Sequence, residues 1–251
     1  MISDAMLTQE YFDTMNSLDG DLAGKRSARA YMDQSSAIVH HRVVGASFIP
    51  RLYNDEVWER FRFISETIHT ILCKVIERYR SDGSYRTIFD YDPRLVELIL
   101  LPRGYDAILP FARVDIFLNE DTLESAFCEL NGDGSAGLNE DREIVHSIEG
   151  SETFTRFAAH HQLESCELFK SWVAEFIAIY ETFKNKVAHP RFAICDYLDV
   201  GVVDEFRIFS EYFEEAGYEC VIADVRDLSF DGTVLRDGNG QQIDAIWRRC
   251  V

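Results

Sequence analysis

The chain has 251 residues, 47% of them hydrophobic and 13% aromatic, enough apolar material to bury a substantial core in one large domain or two small ones, which excludes disorder. Its formal net charge of −19 argues against unassisted binding to nucleic acid or to an anionic membrane, because either surface would repel it. A local basic pocket is compatible with that balance.

In chain order, residues 1–50 read as helical and irregular, ending near Pro50. From Asp55 to Tyr79, Val57, Phe61, Ile64, Ile68, Leu72, Val75 and Tyr79 recur at helical spacing, and the pair Asp82 and Gly83 stops the run. A shorter helix is expected from Asp92 to Leu101, ended by Pro102 and Gly104. Two alternating segments follow, 113–118 and 126–131, joined by a loop at 119–122, and they read as a β-hairpin. If they pair with Phe117 facing Phe127, then Asp115 faces Glu129 and Arg113 faces Asn131. The apolar faces, including Cys128, then point to one core, so Cys128 is expected to be a buried, inert thiol. Asn139 is placed to cap a helix through Ile148, and residues 151–187 are dominated by helical periodicity broken near His160 and His161. After Pro190 the pattern changes to a βαβ unit: a strand at 192–195, a helix at 202–216 closed by Gly217, and a strand at 220–223. A ribbon punctuated by Asp231-Gly232 and by residues 237–240 comes next, then a last strand at 243–249. A strand bearing Trp247, Arg248 and Arg249 is an unusual place to finish a domain, so the natural chain is expected to continue.

The fold class is therefore α/β, with a mainly helical region over 1–100 packed on a mixed, partly parallel sheet within 101–251, as two regions or one continuous domain. Six cysteines (Cys73, Cys128, Cys166, Cys195, Cys220, Cys250) show neither a CxxC pair nor metal spacing, which fits reduced thiols in a cytoplasmic protein. Asp4, Glu10 and Asp13 stand where a signal peptide would carry an apolar run, and no membrane span is expected. The pairs His40-His41 and His160-His161 lack a third ligand and read as surface or helix-packing residues.

Chemistry concentrates at residues 127–137. Glu129 and Asn131, two apart on one strand face, offer two hard oxygen ligands of the kind that hold Mg²⁺ shared with substrate phosphates. Gly132 and Gly134 free the backbone around Asp133 and Ser135 to cradle an anion, aided by the positive end of the following helix, though Glu140, Asp141 and Glu143 oppose it. Arg113 can bind a substrate carboxylate through two parallel hydrogen bonds, or can pair with Asp115 or Glu129. Arg248 and Arg249 must point to opposite faces of a regular strand, so one enters a site, and Trp247 shares a face with Arg249. The bland alternative is a hairpin exit leading into a capped helix. Gly132-x-Gly134-x-x-Gly137 also matches the dinucleotide fingerprint, which needs a parallel strand, a crossover helix and a second strand ending in an acid roughly 20 residues on.

In order, Arg113-x-Asp115, the run from Glu129 to Ser135, the βαβ unit and the strand from Ile243 to Arg249 resemble the N-terminal half of circularly permuted ATP-grasp ligases, a group that includes glutathionylspermidine synthase-like proteins. The resemblance covers residues 100–251 in short blocks. It implies a pre-ATP-grasp, Rossmann-like substrate domain, Mg²⁺ and ATP-phosphate contacts at Glu129 and Asn131, and substrate contacts at Arg113, Asp133, Gly134, Ser135 and Arg249. Of these, Arg113 and Arg249 would act in catalysis. It implies further that ATP phosphorylates a carboxylate and an amine attacks the acyl phosphate, with the ATP site completed by residues beyond 251 and this region inactive alone. The partners would be a small-molecule or peptide carboxylate and an amine. Asp133-Gly134 departs from the Thr/Ser-rich loops of the named synthases, which sets glutathione in doubt. A non-catalytic small-ligand or scaffold domain, and a dinucleotide-binding domain, are the alternatives.

Overall fold

The computed structural model describes residues 3–39, 41–132 and 135–250. Short polar side chains start the first helices. Ser3 caps α1 (Asp4–Asn16) and Asp21 caps α2 (Leu22–Met32), each accepting a hydrogen bond from a first-turn amide. A two-residue hairpin, β1 (Ile38–Val39) and β2 (Arg42–Val43), leads to the 27-residue α3 (Asp55–Ser81), capped by Asn54 and burying Val57, Ile64 and Tyr79 from its expected apolar face. Asp82 ends α3 and caps α4 (Gly83–Arg86), while Asp92 with Pro93 in the first turn opens α5 (Pro93–Leu100). The hairpin β3 (Arg113–Leu118) and β4 (Ser125–Asn131) follows, then α6 (Leu138–Glu149), α7 (Glu152–Ala158) and α8 (Phe169–Glu181). The rest is β5 (Arg191–Asp196), α9 (Val203–Glu215), β6 (Glu219–Asp224), the ribbon strands β7 (Ser229–Phe230), β8 (Leu235–Arg236) and β9 (Gln242–Ile243), and β10 (Ala245–Arg248).

The core is the βαβ unit completed by the last strand. β5 pairs in parallel with β6 on one side and with β10 on the other, so the three-stranded sheet is wholly parallel in the order β10-β5-β6. Strand alternation then divides its side chains between two layers. Phe192, Ile194, Cys220 and Trp247 pack under α8 and α9 with Phe169, Phe206, Phe209 and Phe213. The smaller Ala193, Cys195 and Ala223 face the ribbon, where Ile243 and Leu235 cover them. Between β9 and β10 the chain changes sheets at Asp244, whose amide donates to the Arg191 carbonyl while its carboxylate accepts from the Arg191 amide.

Two expectations about this architecture are corrected. The sheet is not mixed, because among the described residues β3 and β4 pair only with each other and form a separate antiparallel hairpin. The N-terminal helices pack on α6 and α7, with α2 against α6, α1 against α7, and the Tyr11 and Phe157 rings edge to face at 5.3 Å. α8 and α9 already occupy the face of the sheet that a helical region would need. Among the described residues no helix is long and apolar enough to cross a membrane.

Candidate functional site

Arg113 lies opposite Asn131 and Asp115 opposite Glu129, the two polar pairs of the expected register. These four residues therefore share one face of the hairpin. Beyond them the register shifts by one residue, because Cys128 is a bulge, and Phe127 comes opposite Ile116 rather than Phe117. Uniform alternation cannot reveal an inserted residue. Outside the parallel sheet, the hairpin leaves Phe117 69% and Phe127 51% exposed. Cys128 and Leu130 are exposed as well, so the expected buried thiol is corrected, and of the expected apolar face only Val114, Ile116 and Leu118 on β3 are half-buried.

Arg113 ties the hairpin to the loop after it. Its Nε donates to Asp115 Oδ1 at 3.0 Å and its Nη1 to the Ala136 carbonyl at 3.1 Å, so the ion-pair alternative is realised together with a loop contact. Two of the guanidinium's five N–H groups are used this way. From within the loop the buried Ser135 hydroxyl donates to the Asn131 carbonyl at 3.2 Å. Asp133 and Gly134, both expected to touch substrate, lie outside the described residues. The Asn131 side-chain nitrogen is buried without a hydrogen-bond partner among the described residues, which leaves a polar group for a ligand to satisfy.

The positive end of α6, expected to help hold an anion, is already occupied. Glu205, from the first turn of α9, places Oε2 3.1 Å from the amides of both Leu138 and Asn139. Gly137, at φ 102°, is the residue that turns into α6, a conformation that favours glycine. Asn139 is therefore not the cap. Its side-chain amide reaches back to Ser36, donating to both the carbonyl and the hydroxyl.

Arg249 is the partner of that internal carboxylate. It is 4% exposed and Glu205 0% exposed, with Nη1 3.1 Å from Oε1. Neither atom finds an aligned hydrogen bond, so the approach is a charge contact rather than a hydrogen bond. The guanidinium also lies over the Phe206 and Trp247 rings at 5.0 and 4.8 Å. Burial holds its pKa below the ordinary arginine value, with the Glu205 charge opposing that shift. Burial likewise raises the nearby Glu140 carboxyl. Arg249 thus ties β10 to α9 and, through Glu205, to the start of α6.

Two cavities flank the loop. One, of about 510 Å³, is bordered by Gly132, Ser135, Arg248 and several aromatic rings, and the other, of about 690 Å³, by Arg113, Ser135, Ala136 and part of α3. Ser135, Phe111 and Trp172 border both, and the Phe111 and Trp172 rings stack at 3.8 Å with planes 12° apart. Arg249, the member of the pair that the resemblance favours, lines neither, whereas Arg248 borders the first. Sequence reasoning missed Trp172, because an aromatic at helical spacing gives the same signal whether it fills a core or walls a cavity, and it missed Arg103 and Phe111, which lie in the irregular stretch between α5 and β3 and carry no periodic signal.

As a metal site, the hairpin face offers Glu129 with the Asn131 amide. Asp115 stands across from Glu129 but is engaged by Arg113. Among the described residues no group of three or more His, Cys, Asp or Glu side chains could hold an ion alone. A two-donor set fits Mg²⁺ that takes its other ligands from phosphate and water. The dinucleotide alternative loses its context, since β4 is antiparallel to β3 and the chain beyond α6 continues into α7 rather than into a parallel strand. No protein-family profile matches the chain, and no curated protein matches it in sequence.

Proposed function

We propose that this chain is the substrate- and Mg²⁺-phosphate-binding region of an ATP-dependent carboxylate-amine ligase, with a pre-ATP-grasp arrangement. The observation that carries the reading is the hairpin face, on which Arg113, Asp115, Glu129 and Asn131 stand together beside a loop fastened by Arg113 and Ser135. In the reaction, a carboxylate oxygen attacks the γ-phosphorus of ATP and ADP leaves. An amine then attacks the acyl carbon, inorganic phosphate leaves and the nitrogen loses a proton. Bound Mg²⁺ would neutralise phosphate charge beside Glu129 and Asn131.

The chain's own residues orient and bind. The N–H groups of Arg113 not used on Asp115 and Ala136 are available to a carboxylate, and its anchored position limits the entropy lost on binding. Arg249 is assigned a positioning role through Glu205 and α6 in place of the substrate contact that the resemblance implies. In the ligases that the chain resembles, ATP-binding lysines and further metal carboxylates complete the site, and the reading assigns none of those contacts to the residues named above.

The test is Mn²⁺ binding followed by electron paramagnetic resonance, with tripolyphosphate standing in for the ATP phosphates. Tripolyphosphate should tighten Mn²⁺ binding to the chain at least tenfold, and Glu129→Ala should remove that gain. Equal Mn²⁺ binding by the Glu129→Ala variant in the presence of tripolyphosphate would sink the proposal. A scaffold reading predicts that equality.

A further inference from the structure

The acidity of the chain as a whole does not extend to the 510 Å³ cavity. Its wall is aromatic, with Tyr105, Phe111, Trp172, Phe176, Phe183 and Trp247, and its charged neighbours include two guanidiniums, Arg103 and Arg248. Arg103 uses one N–H group on the Ile108 carbonyl at 2.8 Å and keeps others. The cavity is also bordered by Asp244, both of whose carboxylate oxygens are engaged, one by the Arg191 amide and the other by the Gln242 side chain. The Arg103 donors not used on Ile108 favour an anion over an amine.

Trp172 supplies a second, independent observation. Its ring is held between Phe111 and Trp247, at 3.8 and 4.7 Å, yet its indole nitrogen is buried with no hydrogen-bond partner among the described residues. A buried indole N–H ordinarily finds an acceptor. Trp172 and Ser135 both stand at the boundary of the two cavities, so an acceptor arriving there would satisfy this donor.

We propose that the cavity holds the aromatic or branched apolar body of a small monocarboxylate, with the carboxylate at the Trp172 and Ser135 boundary. Its volume lies within the range of small-molecule sites, about 300–1,000 Å³. A polar peptide would strand its amides and charges against aromatic walls. An aryl or branched alkyl chain removes apolar wall from water instead. The further step, that this carboxylate is the acyl substrate, rests on the ligase reading and makes that substrate an aryl- or alkylcarboxylate rather than a peptide such as glutathione.

The test uses tryptophan fluorescence, because Trp172 and Trp247 line the cavity while Trp58 is exposed on α3. The probes are 3-phenylpropionate, its uncharged analogue 3-phenylpropan-1-ol, and reduced glutathione. The acid should change the emission saturably and bind at least tenfold more tightly than the alcohol, as expected when charge-assisted hydrogen bonds are lost. Glutathione should give no saturable change. Trp172→Phe keeps a ring in the stack and removes the N–H, and should weaken the acid about tenfold. Trp58→Phe should leave binding unchanged. The comparison of acid with alcohol needs no variant, so it decides the matter even where Trp172→Phe does not fold. Equal binding of acid and alcohol, tighter binding of glutathione, or no saturable binding of the acid overturns the inference. Binding of the acid by a chain that fails the Mn²⁺ and tripolyphosphate test keeps the cavity assignment and removes the ligase reading.

Discussion

Replacing Glu205 by alanine should cost more stability than any single change on the hairpin face. The substitution strands the buried Arg249 guanidinium and removes the shared acceptor of the Leu138 and Asn139 amides. Breaking a buried ion pair by deleting one partner costs about 3–5 kcal/mol. The two amides lose bonds of about 1 kcal/mol each, but water can reach Leu138 and Glu140 stays near Arg249, so the sum is held at roughly 3–5 kcal/mol. At about 2–4 °C per kcal/mol for a chain of this size, the melting temperature should fall by roughly 6–20 °C. Urea denaturation is the assay, with the slope unchanged and the midpoint lowered. The double change Glu205→Gln with Arg249→Met keeps an acceptor for the amides and removes both charges, and should recover more than half of the loss. A Glu205→Ala loss below about 1 kcal/mol would refute the account of this pair as the link between β10, α9 and α6.

Thiol chemistry should separate the cysteines. Burial pushes the Cys195 and Cys220 thiols up to about 12, so an aromatic disulfide reagent at pH 8 should leave both unmodified until the chain unfolds, while the exposed Cys128 reacts first. Cys166 is also exposed, but burial of its sulfur raises its pKa and it should react more slowly than Cys128, as mass mapping of the first modified peptide would show. Asp21 links the start of α2 to α7. Burial alone would raise its pKa, but hydrogen bonds from the Thr153 amide and hydroxyl and the Gly24 amide hold it below the ordinary aspartate value. Its contribution is therefore present above the unfolded pKa of about 3.9 and lost as the pH falls through the lower folded value. Asp21→Asn should destabilise the chain at pH 7, with the gap from the parent closing as the pH drops below about 4, and a gap independent of pH would contradict this.

Much of the fold was legible because its signals are local. The 27-residue α3 announced itself by Val57, Ile64 and Tyr79 at helical spacing, and the βαβ unit by two apolar runs around an amphipathic helix. The polar half of the hairpin was readable in part: alternation puts Arg113 with Asp115 and Glu129 with Asn131 on one face of each strand, and the pairs 113 with 131 and 115 with 129 hold although Phe117 does not face Phe127. What escaped depends on events that alternation does not encode. The bulge at Cys128 adds one residue to β4, and the choice of β10 rather than the hairpin as the partner of β5 is tertiary. At the site, Glu205 reads in sequence like any acid in the first turn of a helix. Only the fold shows that it fills the end of α6 and turns Arg249 inward.

The central claim is that a carboxylate is activated by phosphoryl transfer at this hairpin, and isotope transfer tests it most directly. The protein, isolated as its own cells make it, is given Mg²⁺, ATP, an amine and a carboxylate labelled with ¹⁸O in both oxygens, and the released phosphate is analysed by mass spectrometry. The account predicts one ¹⁸O in the phosphate for each amide formed, with Glu129→Ala and Arg113→Ala variants abolishing the transfer. Amide formation that leaves the phosphate unlabelled, or no transfer with any aryl, alkyl or peptide carboxylate supplied, would contradict it.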